Sequence, residues 1–509
     1  MTRRRAYVRL RRSWRARQVR WGKSIRNAGR RAVHLGGSYG SSLLVHGAIL
    51  GVMTLIVIAL PRTDSAPPIV MRATPAAMPQ EELAIVASAP DMDGEDLLDT
   101  QWEEEDPQFA EVPEGTEVAD RTRVDTPNER AEALAIQGPS GAGPLGQRTD
   151  KRTLRREGGS AKTEGAVVAA LDWLRRHQAP DGRWDADGWS GQCEGERCAG
   201  PGHDTPRPQD HDKHDVGVTA LAVLAFLGNG HTHRFGVYKD TVQAALRWLR
   251  SQQAESGALG RSARRHWMYD HAVATFALAE AYAVTRDVGL RRPAIRAVAF
   301  LVRAQNPGAG WRYGVRPGDN DTSITGWAVL AMKAARTAGL DVHPEVWDGA
   351  MSWFDTVTDT SGRAGYVQAD GRTAFMQERP TQPPTNTAVV VACRLFSGRA
   401  SVRSLKPSVE ILMDRLPQWD PSAEHVNFYY WYYGTLALFQ AGGNRWRRWN
   451  RAMNAALVPH QRSEGCARGS WNAEGQWSLA GGRVYGTAIN ALTLEVYYRY
   501  LRAEGQTTH

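Results

Sequence analysis

After about residue 160 the chain alternates, six times over, between an amphipathic helical string and a nearly all-apolar one, and this alternation constrains the fold most. The amphipathic strings read GAVVAALDWLRRHQ from Gly165, YKDTVQAALRWLRSQQ from Tyr238 and RRPAIRAVAFLVRAQ from Arg291, then PEVWDGAMSWFDTV, LKPSVEILMDRL and RWRRWNRAMNAAL. In the first, Val167, Val168, Leu171 and Leu174 recur at helical spacing while Asp172, Arg175 and Arg176 face away. Between them lie DVGVTALAVLAFL from Asp215, DHAVATFALAEAY from Asp270 and DTSITGWAVLAMKAA from Asp321, then PTNTAVVVACRLF, NFYYWYYGTLALFQ and VYGTAINALTLEVYY. A helix apolar on every side must be buried on every side. Six buried helices ringed by six half-exposed ones predict an all-α fold, an (α/α)6 toroid closed because each pair covers its neighbour's apolar face.

The junctions carry the same period. The first amphipathic string ends in QAPDGRW, Gln178 to Trp184, and the second in QQAESGAL, with Gln253 and Gly257. The third ends in QNPGAGW, Gln305 to Trp311, and the sixth runs from Gln461 through GSW at Trp471. Glycine just past a helix end supplies the left-handed turn that stops it, and the following aromatic folds back over the joint. Four graded copies at a period of roughly 50 residues are a repeat signal rather than chance.

This spacing resembles the QW motif of squalene–hopene cyclases and the prenyltransferase/squalene-oxidase repeat, over about residues 160–503. The resemblance implies a toroid whose inner-helix N-termini surround a cavity mouth, with an isoprenoid-type ligand in enzymatic relatives. Class II cyclases place D-x-D-D-T at such a position, and its third residue protonates the substrate alkene. Here GDNDTS, Gly318 to Ser323, puts Asn320 at the acid position and Gly318 at the first Asp. An amide cannot deliver that proton, which leaves Asp319 or Asp321 as the candidate catalytic acids. Asp321, like Asp215 and Asp270, also begins an inner helix and suits N-capping, at about 1 kcal/mol. Protein prenyltransferases bind zinc through an Asp-x-Cys pair and a His at a late inner helix. No D-x-C string occurs in this chain, and Tyr429 or Tyr430 stands where that His would be. A thioester string of the complement type is also absent, and Cys393 reads as a small buried hydrophobe.

Outside the repeats, the chain predicts a membrane anchor. The first 40 residues hold thirteen Arg or Lys and no acid, so a whole-chain charge of +9 leaves −4 for the remainder. Residues 41–61 contain an uncharged apolar run, Ser41 to Leu60, ended by Pro61 and about long enough to span a bilayer. The basic tail is then a positive-inside flank, not a nucleic-acid site, and the expectation is a single-pass inner-membrane protein with a cytoplasmic N-terminus and a periplasmic toroid. Ser42 and His46, one helical turn apart, are similar to the pair in TonB-type energy transducers, which implies proton-driven motor subunits as partners; the alternative is a plain anchor. Residues 62–158, acidic and rich in Pro and Gly, read as a linker, and residues 504–509 as a tail.

Two further groups carry chemistry. Between the first outer and inner helices, Cys193, Cys198, His203, His211 and His214 fit zinc, whereas an exported domain more often oxidises Cys193 and Cys198 to a disulfide. No other cofactor is expected. The aromatics are the second group. Phe428 to Tyr433 are consecutive aromatics, so several must face the centre, and Tyr429, Tyr430, Trp431 and Tyr433 are the ligand-binding candidates among them. Trp327, Tyr269, Asp270, His271 and Tyr485 join them from other inner helices. The expected function is therefore binding of a lipid (isoprenoid-like), peptide or glycan in an aromatic-lined cavity without standard cyclase chemistry. The alternatives are a terpenoid cyclase using Asp319 or Asp321, and a glycan lyase or hydrolase using Asp270, Asp321 or Glu280.

Overall fold

A computed structural model describes residues 151–193, 198, 214–260, 266–369, 383–420, 426–475 and 478–500. After a short α1, Lys151–Arg156, the odd-numbered helices are the inner set. They are α3 (Asp215–Gly228), α5 (Trp267–Thr285), α7 (Thr322–Thr337), α9 (Thr385–Ser397), α11 (Phe428–Ala441) and α13 (Ser478–Leu494). The outer set is α2 (Ala161–Arg176), α4 (Lys239–Ser251), α6 (Val288–Ala304), α8 (Pro344–Val357), α10 (Lys406–Met413) and α12 (Gly443–Leu457), and a last turn, α14, covers Val496–Arg499. Each inner helix packs on the next, and α13 packs back on α3, so the ring is closed. This is the all-helical α/α toroid that the alternation predicts. Every residue of α3 from Val216 to Gly228 is buried, whereas α4 buries Val242, Ala245, Leu246 and Leu249, one stripe at helical spacing.

The joints show what the glutamines do. Gln178 donates from its amide nitrogen to the Gly182 carbonyl of its own turn (2.8 Å) and to Thr241 O at the start of the next outer helix (2.9 Å). Gln253 and Gln305 repeat this bridge to Pro293 O and Val346 O. Gln461 closes the circle, donating to Gly469 O (2.8 Å) and to Ala166 O of α2 (2.7 Å). Trp184, Trp311 and Trp471 each fold back so that the indole N–H reaches a carbonyl near the end of the preceding outer helix, Leu174, Leu301 and Leu457. A threonine one turn into the inner helix completes the joint. Thr219, Thr325 and Thr387 accept the backbone N–H of Trp184, Trp311 and Ala364 at 2.9–3.1 Å.

Toward the C-terminal ends of α3 and α5 the ring is plugged by charge. Arg499, fully buried, donates to both carboxylate oxygens of Glu280 (2.8 and 3.0 Å), to Leu224 O (2.7 Å) and to Glu495 (3.4 Å). Burial opposes its charge, but Glu280 and the neighbouring Tyr500 and Glu495 outweigh that and hold its pKa above the ordinary value.

One boundary differs from expectation. Glu157 O accepts from the Trp446 indole (2.8 Å) and Gly158 O from Asn450 (2.9 Å), so packing starts inside the stretch read as linker. The basic tail, the 41–61 span with Ser42 and His46, and the linker up to residue 150 lie outside the described residues. No described helix is long and apolar enough to cross a membrane.

Candidate functional site

At the opposite end from Arg499, the first turns of α3, α5, α7, α11 and α13 surround a cavity of about 690 Å³. Its wall is mostly apolar and includes six aromatic rings. Tyr269 comes from α5, Trp327 from α7, Tyr429 from α11 and Tyr485 from α13, with Tyr313 and Tyr366 from the joints before α7 and α9. Trp327 is held by Tyr429 and Tyr433, with ring centroids at 6.0 and 5.5 Å, and stacks on Tyr432 at 5.7 Å. Tyr485 lines the wall, while its hydroxyl oxygen is sealed from solvent and has no hydrogen-bond partner among the described residues. Burial raises the pKa values of Tyr269, Tyr429 and Tyr485, so these hydroxyls stay protonated donors.

Two polar pairs interrupt this wall. His214 Nδ1 lies 3.0 and 3.2 Å from the carboxylate oxygens of the buried Asp270. An ionised carboxylate only accepts, so Nδ1 carries the proton. Gly217 makes room for the pair: a Cβ there would stand 2.4 Å from Asp270 Oδ1. The second pair is Arg312 Nε with Asp319 Oδ2 at 3.1 Å, the Asp319 side chain being 62% exposed. The Arg312 guanidinium also lies over the Tyr313 ring, 4.9 Å from its centroid.

Asp321 sits behind the wall, not in it. It is the N-cap of α7, and its Oδ1 accepts from Ser323 N (2.7 Å), Ile324 N (3.1 Å) and Ser323 Oγ (2.7 Å). Its Oδ2 accepts from the Tyr366 hydroxyl, which is paired with that of Tyr313. Ser323 Oγ in turn accepts from Tyr269 at 2.5 Å. Complete burial pushes the Asp321 pKa up, and these donors pull it back without cancelling the rise.

Of the expected ligand-binding residues, Tyr269, Asp270, Trp327, Tyr429 and Tyr485 meet in the cavity wall, and Asp319 stands at its edge. Four others lie elsewhere. His271 is turned outward, where its Nδ1 accepts the Leu259 N–H (3.1 Å) and its ring meets Phe300; it fills the joint position that threonine holds in other repeats. Tyr430 donates to Arg415 O and packs on Trp449, and Trp431 packs on Phe428 and Trp419. Successive helical residues advance by about 100°, so a run of six aromatics must face all directions. Tyr433 is buried behind Trp327. Glu280 serves the Arg499 plug, and Asp215 accepts the Ala186 N–H instead of capping its helix.

The cysteine loop also departs from expectation. In this structure Cys193 and Cys198 are free thiols with sulfurs 3.6 Å apart. His214 points to Asp270 rather than to them, and His203 and His211 lie outside the described residues. Tyr313, Tyr366, Arg312, His214 and His266 were not expected in the wall. A signal for the two tyrosines existed: each follows its joint residue, Trp311 or Ala364, by two positions.

No protein-family profile and no curated protein matches this chain. Among solved structures it is similar to an alpha-1,6-mannanase variant from Salegentibacter sp. HEL1_6, at 10% identity and TM-score 0.46, over 66% of this chain and 98% of that one. It is also similar to an alpha-amylase from Clostridium perfringens, at 11% identity and TM-score 0.42, over 65% and 97%. The type II terpene cyclase MstE from Scytonema stands at 14% identity and TM-score 0.42, over 66% and 97%. Likeness at this level does not discriminate between their chemistries, which must be argued from the site.

Proposed function

We propose that the toroid binds an amphiphilic small molecule, with a flat or branched apolar body and a polar end, in the mouth at the inner-helix N-termini. The observation that carries this reading is a cavity of about 690 Å³ whose wall includes six aromatic rings, with Arg312 and the His214–Asp270 pair as the polar groups upon it. That volume lies within the ~300–1,000 Å³ range of small-molecule sites, which pair apolar walls with a few convergent polar groups. The polar end would meet Arg312 and the His214–Asp270 pair, and helix N-termini favour electron-rich groups there. An isoprenoid fits this description better than a glycan. Asp270 is already engaged with His214 and Asp319 with Arg312, which leaves, among the described residues of the mouth, no pair of carboxyl groups set to act together across it. The basic tail and the 41–61 apolar run support a membrane-anchored placement with the toroid outside the inner membrane, close to a source of such ligands. The Ser42 and His46 spacing supports motor subunits as partners of that anchor.

One observation favours a second reading, proton-donating cyclisation. Asp321 is buried with a raised pKa, and its partner Tyr366 lines the cavity, so a proton could pass from the carboxyl through that hydroxyl. Against this, four donors already satisfy the carboxylate, and it serves as a helix cap.

Both readings are tested by titrating the full chain with 1-anilinonaphthalene-8-sulfonate, an aromatic amphiphile, and by assaying farnesyl and geranylgeranyl diphosphates for turnover. Binding that survives in Asp321→Asn, which keeps the cap, and is weakened at least tenfold in Trp327→Ala supports the proposal. Probe binding indifferent to Trp327 would overturn it, and turnover abolished by Asp321→Asn would replace it with the cyclase reading.

A further inference from the structure

A second constellation lies at the seam where the last repeat meets the first. His177, at the C-terminus of α2, directs Nε2 toward three sulfurs: Cys193 at 3.5 Å, Cys198 at 3.3 Å and Cys466 at 3.3 Å. Cys193 and Cys198 lie 3.6 Å apart, and all four ligand atoms fall within 4.8 Å of one another. Hydrogen bonding does not explain this convergence. A neutral imidazole offers one lone pair and accepts one S–H, yet three thiols crowd the same nitrogen. A tetrahedral zinc ion with Zn–S near 2.3 Å and Zn–N near 2.0–2.1 Å has edges of roughly 3.6 Å (S to N) and 3.8 Å (S to S). The three nitrogen–sulfur distances and the Cys193–Cys198 separation match those edges to within a few tenths of an ångström.

The surroundings agree with that geometry. His177 Nδ1 lies 2.9 Å from the Trp173 carbonyl, which only accepts, so the proton is on Nδ1 and the Nε2 lone pair faces the thiols. This is the second contact that metal-bound histidines make almost without exception. The ring is also stacked on Trp173 at 4.2 Å, which fixes its plane, and the Cys198 N–H points at Cys193 Sγ (3.5 Å). Cys198 is buried, Cys193 and Cys466 are half-buried, and Trp173 and Trp189 pack around the histidine ring. Three thiolates and a neutral imidazole around Zn²⁺ sum to −1. Arg483, buried and held by Ser470 and Asn472, interacts electrostatically with all three cysteines and would balance that charge.

We propose that His177, Cys193, Cys198 and Cys466 bind a structural Zn²⁺ ion that ties the sixth repeat to the first and so closes the ring. Binding displaces the three thiol protons to solvent and involves no redox step. With four protein ligands the coordination is full, which marks a structural rather than a catalytic ion. The ion also links segments that are about 290 residues apart, the separation across which the toroid has no covalent tie.

The test uses the full chain purified without a histidine tag or chelating resin. Metal analysis by mass spectrometry is expected to find one zinc per chain, and zinc-edge absorption a shell of three sulfurs and one nitrogen. Cobalt exchange should give thiolate-to-cobalt charge transfer, which Cys466→Ser and His177→Ala weaken. A chelator should lower the melting temperature of the wild type while leaving that of Cys466→Ser unchanged. Zinc-free protein, a Cys193–Cys198 disulfide seen as two missing thiols of four on denaturation, or full zinc retention in Cys466→Ser would each overturn the proposal. Should the variants fail to fold, the metal content and absorption edge of the wild type decide it alone.

Discussion

Replacing Arg499 by methionine should cost the toroid about 3–5 kcal/mol, since it leaves the carboxylates of Glu280 and Glu495 buried without their counter-charge. The estimate follows from the geometry. At 2.8 Å from Glu280, in an effective dielectric of about 20, the attraction is roughly 6 kcal/mol, most of which offsets the desolvation of the two ions. Removing the cation forfeits that attraction while the carboxylates stay desolvated, and the Leu224 carbonyl also loses its donor. Combining Arg499→Met with Glu280→Gln and Glu495→Gln should recover much of the loss, because no net charge then remains. The deficit should shrink in acid, where protonation removes the uncompensated charge. Urea denaturation of each variant, followed by far-ultraviolet circular dichroism at several pH values, measures all of this. A single variant within 1 kcal/mol of wild type at pH 7, or a triple variant no better than the single, would refute the reasoning.

Two further perturbations test other parts of the structure. Gly469 has φ +92°, and a Cβ there would lie 2.0 Å from the Ala169 carbonyl oxygen, so Gly469→Ala should cost at least about 2 kcal/mol. Gly308→Ala, also at positive φ but with no atom within 4 Å, should cost only about 1 kcal/mol, and equal losses in denaturation would contradict the clash argument. Burial raises the Glu164 pKa to about 7 against a hydrogen bond from Tyr498, so its contribution is fully present below about pH 4.5 and lost as pH rises through 7. Glu164→Gln should flatten that slope and stabilise the protein above pH 7 by at most about 3 kcal/mol, less because part of the side chain reaches solvent; parallel stability–pH curves for variant and wild type would exclude this.

The fold was legible because two periodicities overlap in the sequence: helical amphipathicity on one string and its loss on the next. Gln178, Gln305 and Gln461 showed where the joints lie, although not that each amide reaches the next outer helix. The cavity wall was half legible. Tyr269 and Tyr485, expected at the mouth from their places near inner-helix starts, do line it, but which side of α11 turned inward depended on packing against Trp449 and Trp327. Asp321 read as a cap ahead of an acid, and its contacts with Ser323 and Ile324 show the cap. The cysteine site was hidden because Cys466 and His177 are distant in sequence, whereas the nearby His214 is drawn away by Asp270. Spacing reports local partners well and ring closure hardly at all.

The most direct measurement of the mouth as a binding site is mass spectrometry of the small molecules released from the full chain after mild detergent purification, run beside Trp327→Ala. The account predicts an amphiphile, apolar-bodied with one polar end, recovered at near-equimolar amounts from the wild type and depleted in the variant. Equal recovery from both proteins, or a wild type that releases nothing and binds no amphiphile when supplied with one, would contradict it.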